Sequence, residues 1–311
     1  MGDQNVEGGV RVRRLLLAAI PLLLVGCAAG APGGDAPAQT AGAQQRRYKA
    51  TATVLQSRDH GPELCLTAMA LAGLPACRGL PVPNWRWDQV EGERAADGIT
   101  WGHYRLVGTY DGASFTVTRA ALAPPDRQPS AEEQFKHEPK PGCPQPAGGW
   151  QVPDPARRSE RYLEPVTRTA RAEPDFAGLW LSYLAPMGDN VAEEPGEFVL
   201  NVAFTGDLAR HEAELRSRWG GRLCVTRQQR SYRQLLRIQR DLHGPAGTDL
   251  GLRVLASGIR ESANAVTLTV VVLEERAREA LEARYGAGAV QATAVLTPIA
   301  SSGGRALPRR P

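Results

Sequence analysis

The 311 residues carry a net charge of +4, 42% hydrophobic side chains, 33 glycines and 24 prolines. That apolar content can bury the cores of about two domains and excludes a chain disordered throughout. The 37 basic and 33 acidic residues are interspersed with no basic block, which describes a solvated mixed surface and argues against a nucleic-acid partner.

At the N-terminus, Arg11, Arg13 and Arg14 precede an uncharged run from Leu15 to Gly26, the order of a positive region followed by a hydrophobic one. About a dozen apolar residues rise only about 18 Å as a helix, against a hydrocarbon core of about 30 Å, so a signal peptide over 1–26 is expected and a spanning helix is not. Leu24-Val25-Gly26-Cys27 resembles the bacterial lipobox. That resemblance implies a thioether-linked lipid on Cys27, membrane attachment through it, and a place on the outer face of the cytoplasmic membrane. From Ala28 to Gln45 the chain is almost wholly Ala, Gly, Pro and Gln, a composition that cannot bury a core, so 27–47 is expected to be a tether.

Four cysteines remain, Cys65, Cys77, Cys143 and Cys224, an even number in a chain routed to an oxidising compartment. Three pairings are possible. A local Cys65–Cys77 bridge needs little chain closure, and Cys143 would then pair with Cys224 and pin the proline-rich stretch onto the second domain. No CxxC or HxxxH spacing occurs, so neither a metal nor another cofactor is expected.

Residues 48–122 read as a small β domain. Tyr48 to Gln56 is rich in Thr, Ala and Val, Pro62 to Thr67 leads into the first cysteine, and Trp101 to Tyr110 and Ser114 to Thr118 flank the turn dipeptide Asp111-Gly112. An OB-like barrel or sandwich closed by Cys65–Cys77 is the expectation. Trp85, Trp87 and Trp101 lie near Asp88, Glu91 and Glu93. Aromatics so grouped can stack a sugar or grip a peptide, or simply fill a small core. Trp85 and Trp87 flank Arg86 and would share one face of any strand there.

Residues 123–151 hold seven prolines before Trp150 and read as a stiff, largely extended linker. Over 152–300 the periods alternate. Phe198, Leu200, Val202 and Phe204 mark a strand; a helix capped by Asp207 carries Leu208, Leu215 and Trp219 and stops at Gly220-Gly221. Arg222 to Gln228 is the next strand, and Ser231 caps a second helix that His243-Gly244-Pro245 breaks. Strands at Leu252–Ile259 and Ala265–Leu273 join through Glu261 to Asn264, a helix runs from Glu274 to Tyr285, and Ala289 to Leu296 is the last strand. The expected class is α+β, here a ferredoxin-like sandwich, with 301–311 a frayed tail.

The stretches Thr51-Ala-Thr-Val-Leu-Gln, Pro62-Glu-Leu-Cys65-Leu, Gly108-Thr-Tyr-Asp-Gly112, Cys143-Pro-Gln-Pro-Ala-Gly-Gly-Trp150, Val202-Ala-Phe-Thr-Gly-Asp207 and Trp219-Gly-Gly resemble uncharacterised lipoproteins of high-G+C Gram-positive bacteria. The resemblance implies the layout and carries no activity. The last β-β-α-β portion is also similar in architecture to the folding pro-regions of some secreted serine proteases.

A helix starting at Asp207 brings Arg210 and His211 near that carboxylate, so a general base is conceivable there. With no nucleophile, nucleotide-loop or paired-carboxylate motif beside it, a capped surface turn is preferred. The expected function is a lipid-anchored, non-enzymatic extracytoplasmic module that binds an envelope component or a protein through the first domain. An extracytoplasmic protease regulator or hydrolase is the alternative.

Overall fold

The computed structural model describes residues 46–71, 74–124, 131–186 and 198–299. The signal segment, Cys27, nearly all of the tether and the 301–311 tail lie outside the described residues. The chain is a strand-rich α+β structure whose larger sheet curls as a half-barrel, so the expected class holds.

Strand β1 (Arg47–Gln56) organises the first half. Tyr48, Ala50, Ala52 and Val54 are buried, while Lys49 and Thr51 are exposed, the period-two pattern of a strand with one covered face. One edge of β1 pairs antiparallel along its whole length with β5 (Ile99–Tyr110). Two strands share the other edge: β2 (Glu63–Leu71) takes Val54 and Leu55, and β12 (Val290–Pro298) takes Tyr48 and Lys49. With β3 (Leu74–Pro81), β4 (Arg94–Ala96) and β6 (Phe115–Leu122) this sheet runs to nine strands, and it joins the first and last segments of the chain. Cys65 and Cys77 are bridged across the β2–β3 hairpin. The β5–β6 connection is a four-residue loop. Asp111 accepts from the backbone of Ala113 and Ser114 there, and Gly112 takes φ +99.

The proline-rich stretch is not wholly extended, because a short helix, α1 (Ala131–His137), forms within it. Beyond it the backbone N–H of Gly142 donates to the fully buried Asn201 side chain, and Cys143 is bridged to Cys224. The stretch is thus fastened to the second half, as the cysteine spacing suggested.

Helix α2 (Glu160–Ala172) and strand β7 (Phe176–Tyr183) precede the elements that the sequence makes legible. Next come β8 (Phe198–Phe204), α3 (Leu208–Arg218) and β9 (Leu223–Arg227). Then follow α4 (Tyr232–Leu242), α5 (Pro245–Asp249), β10 (Val254–Arg260), β11 (Ala265–Val272) and α6 (Glu275–Tyr285). These strands fall into two sheets rather than one. In the three-stranded sheet, β8 pairs antiparallel with β7 and parallel with β9; β11 pairs antiparallel with β10 and parallel with β12. The arrangement helix, strand, strand, helix, strand therefore occurs twice. Each copy packs its two helices on its own core: Val166, Ala170 and Leu215 with Leu200 and Phe204 in the first, Leu235, Leu242 and Leu281 with Val266 and Leu268 in the second. Each such side chain larger than alanine, fully buried, stabilises the fold by roughly 1.5–3 kcal/mol.

Glu261, in the turn between β10 and β11, clamps the copies together. Its carboxylate accepts from the backbone N–H of Leu179 at the β7 bulge and from Arg171 of α2, 3.2 Å away. A Cβ on Gly178 would stand 2.9 Å from the Glu261 Cβ, so only glycine admits this approach. All described residues belong to one compact unit.

Candidate functional site

The three tryptophans proposed for binding do not share a surface. Trp85 is 7% exposed and stands edge-on to Trp87 and Tyr104 at 5.4 and 5.0 Å between ring centroids, inside the half-barrel core. Trp87 is half-buried, packs on the same core and donates from Nε1 to the Gln56 side chain at 2.8 Å. Its neighbours do not form a strand: Trp87–Gln89 is a turn of 3₁₀ helix, so the shared face comes from packing rather than pleating. Trp101 differs. Alternation along β5 sends Gly102, Tyr104 and Leu106 to the core and Trp101, His103 and Arg105 to the opposite face, where Trp101 is half-buried.

That opposite face is the open side of the curled sheet. The register sets Leu55 beside Trp101, Thr53 beside His103, Thr51 beside Arg105 and Lys49 beside Val107, with Arg119 of β6 paired to Val107 and Thr297 of β12 to Lys49. Thr53 Oγ1 and His103 Nδ1 are 3.4 Å apart. A groove of about 550 Å³ lies on this face, lined by Lys49, Thr51, Arg105, Val107, Arg119 and Val295. No carboxylate lines it, and among the described residues Lys49, Arg105 and Arg119 form no ion pair. The groove forms where β12 leaves β1 after two paired residues. Sequence reasoning singled out Trp101 but grouped it with Trp85 and Trp87 rather than on this face, and it missed the three cations, which come from three strands brought together only by pairing.

His211 presents a second cluster, and its surroundings differ from the sequence expectation. It is 1% exposed rather than on a surface turn, and its ring stacks on Phe204 with centroids 3.6 Å apart. Its carboxylate partner is Asp175, from the α2–β7 turn, with Oδ2 3.0 Å from Nε2. Asp207 does not cap α3 with its side chain: it sits at φ +47 and binds Arg210 Nε at 2.7 Å. Arg210 also reaches Glu173 at 2.8 Å and lies 3.1 Å from His211 Nε2. Hydrogen bonds to Glu173 first and Asp207 second hold the Arg210 guanidinium well above its ordinary pKa.

Donor atoms of Glu173, Asp175 and His211 lie within 4.8 Å of one another, close enough for one cation to bridge. Arg210 already places its guanidinium against Glu173 and 3.1 Å from His211 Nε2, where it would compete with such a cation. The ring of His211 is buried and packs on Phe204 in the first repeat, while Glu173 and Asp175 beside it are partly exposed.

No protein-family model matches the chain, and no curated protein matches it.

Proposed function

We propose that the protein is a lipid-anchored extracytoplasmic binding module rather than an enzyme, held at the outer face of a cytoplasmic membrane through Cys27. It takes an envelope component or a protein partner on the open face of the curled sheet. The observation that carries this reading is the groove walled by Lys49, Arg105 and Arg119, with apolar Val107 and Val295 in its lining. Three cations without a carboxylate favour a ligand with anionic groups, and the two valines one that also carries apolar surface. The address draws support from the two disulfides, which persist in oxidising compartments and are rare in the reducing cytosol.

Within the α+β architecture, the first half is read as an OB-like barrel, supported by β1 pairing with β2 on one edge and β5 on the other. The ferredoxin-like character assigned to the second half rests on its helices packing against mixed strands, in two groups of three.

Two measurements test the proposal. Metabolic labelling with a radioactive fatty acid should mark the wild-type chain and not Cys27→Ser. Pull-down from detergent-solubilised envelope should recover a partner with the wild type and lose it with Lys49→Glu/Arg105→Glu/Arg119→Glu. Identical recovery by both forms would remove the sheet face as the binding site, whatever the labelling shows.

A further inference from the structure

Basic and acidic residues are interspersed along most of the chain, but from Arg216 to Arg240 eight arginines follow with no acid between them, and α4 lies in this run. Residues 230–242 hold Arg230, Arg233, Arg237 and Arg240 against a single acid, Asp241, in a chain whose whole net charge is +4. The repeat supplies an internal comparison. In α2, which occupies the same place in the first copy, each arginine has a partner: Arg168 pairs with Glu164, Arg171 with Glu261, and Arg161 lies over the Tyr162 ring. In α4, Arg233 and Arg237 have no partner among the described residues, and Arg240 reaches only the backbone carbonyl of Leu236. Asp241 is already taken by Arg284, at 3.2 Å, and by the Tyr285 hydroxyl, at 2.6 Å.

The unpaired cations form one stripe. Positions 233, 236, 237 and 240 follow the i, i+3, i+4, i+7 rule and point away from buried Leu235 and Leu242. The remaining member of the stripe is Leu236, which with Leu122 makes up the large hydrophobic side chains exposed among the described residues. Beside the stripe, an open groove of about 750 Å³ between α4 and α6 adds Arg230, Arg284 and the apolar Ile238. A helix with a basic outer face and a leucine in its midst matches an interface where anionic headgroups lie above the start of the acyl region.

We propose that the Arg233–Leu236–Arg237–Arg240 stripe of α4, with the adjoining groove, docks on the anionic headgroups of a lipid bilayer. Guanidinium groups grip the headgroup phosphates, frequently with two hydrogen bonds each, and Leu236 enters the headgroup–acyl boundary. This surface is built by α4 and α6, whereas the groove of the proposed function is walled by strands β1, β5, β6 and β12, and it does not depend on a lipid at Cys27. If Cys27 carries a diacylglyceryl group, its two chains hold the protein at the membrane and the stripe sets which face of the folded unit meets it. The 19 positions from Cys27 to Arg46 span at most about 70 Å, enough chain to let the folded unit turn this face toward the membrane it is tied to.

The test is co-sedimentation of the full chain with vesicles of phosphatidylcholine alone or mixed with phosphatidylglycerol. Every arm carries Cys27→Ser, so lipidation, and any failure of the anchoring proposal, cannot affect the outcome. Binding is expected with the anionic vesicles only, weakening as salt is raised. Each arginine near such a surface contributes about fivefold in partitioning, so Arg233→Gln/Arg237→Gln/Arg240→Gln should lower it on the order of 100-fold. A charge-matched control, Arg168→Gln/Arg218→Gln/Arg278→Gln, should retain most of the binding, and Leu236→Ala should lower it without changing the salt response. Equal binding to neutral and anionic vesicles, or an equal loss with the control triple, would overturn the proposal. So would complete displacement by millimolar inorganic phosphate, which would indicate a discrete anion pocket, or binding to polyglutamate with none to vesicles, which would indicate an acidic protein partner.

Discussion

The two disulfides close loops of very different size, and that difference fixes an order of stabilities. Cys143 and Cys224 are 81 positions apart, whereas Cys65 and Cys77 are 12 apart. In the chain-entropy description the longer bridge removes unfolded-state freedom worth about 4.5 kcal/mol, and the shorter about 2.8 kcal/mol. The longer bridge should therefore matter more, although Cys224 is already held in β8–β9 pairing and Gly142 remains tied to Asn201 when the bridge is cut. Those local ties preserve native geometry, so the loss falls on the unfolded state. Urea unfolding of Cys143→Ala/Cys224→Ala should show the midpoint fall further than in Cys65→Ala/Cys77→Ala, by an amount equivalent to about 1.7 kcal/mol, with a steeper denaturant dependence in both as the unfolded chain expands. A smaller loss for the long bridge than for the short one would refute the entropic reasoning. Four titratable thiols in the non-reduced native protein would remove the support that the bridges give to an extracytoplasmic address.

The tryptophan geometry separates core from surface: Trp85→Ala should cost about 3–5 kcal/mol of stability by thermal or chemical unfolding, and Trp101→Ala far less. Replacing Glu261 by Ala leaves the Leu179 amide without its acceptor and should cost about 1–3 kcal/mol, with Glu261→Gln closer to wild type; equal effects of the two would mean that charge, not acceptance, holds the repeats together. Asp111 is held down at about 2 by the backbone amides of Ser114 and Ala113. Since its folded value lies below the unfolded one, its stabilisation is complete above about pH 4 and is lost as pH falls through about 2. Asp111→Asn should therefore lower stability above about pH 4 and converge with the wild type below about pH 2, flattening the acid limb of the stability–pH curve over that window.

Much of the local structure can be read from the chain itself. Ser231 and Gln234 form the reciprocal cap that their spacing announces, the α6 stripe of Ala277 and Leu281 is buried, and Gly286 ends that helix at φ +88. Trp219 is buried with its Nε1–H on the Arg222 carbonyl, as a residue of the α3 stripe should be. What fails to show is whatever depends on distant pairing. Strand β8 reads as one-faced because Phe198, Leu200, Val202 and Phe204 alternate, yet Val199, Asn201 and Ala203 are equally buried under the proline-rich stretch and its bridge. Helix α2 is hidden by Pro165, a residue that ordinarily breaks a helix, although Tyr162, Val166 and Ala170 keep a four-residue spacing along its buried side. The partner of His211 comes from 36 positions earlier, in a Pro-Asp turn that no periodicity marks.

Losing α2 and β7 from the sequence reading also conceals the duplication, and the duplication explains how the two halves are joined. Both copies end in a strand that returns parallel to the one before it, through a crossover helix. In the first copy that strand, β9, has five residues and stops at the edge of its sheet; in the second, β12 has nine. The residues up to Leu296 satisfy β11, and the excess, Thr297 and Pro298, pairs with Lys49 and Tyr48 of β1. Pro298 is tolerated there because the donor to β1 at this point is Ile299, whose N–H reaches the Arg47 carbonyl at 2.8 Å, so no N–H is needed from the proline. The second copy is therefore sewn into the curled sheet by backbone hydrogen bonds, while the first is held by side chains, through Glu261 and the Cys143–Cys224 bridge. The same overrun of β12 leaves the wedge between β12 and β1 that opens onto Lys49, Arg105 and Arg119. The candidate groove is thus a direct product of a few extra residues on the last strand of a repeated unit.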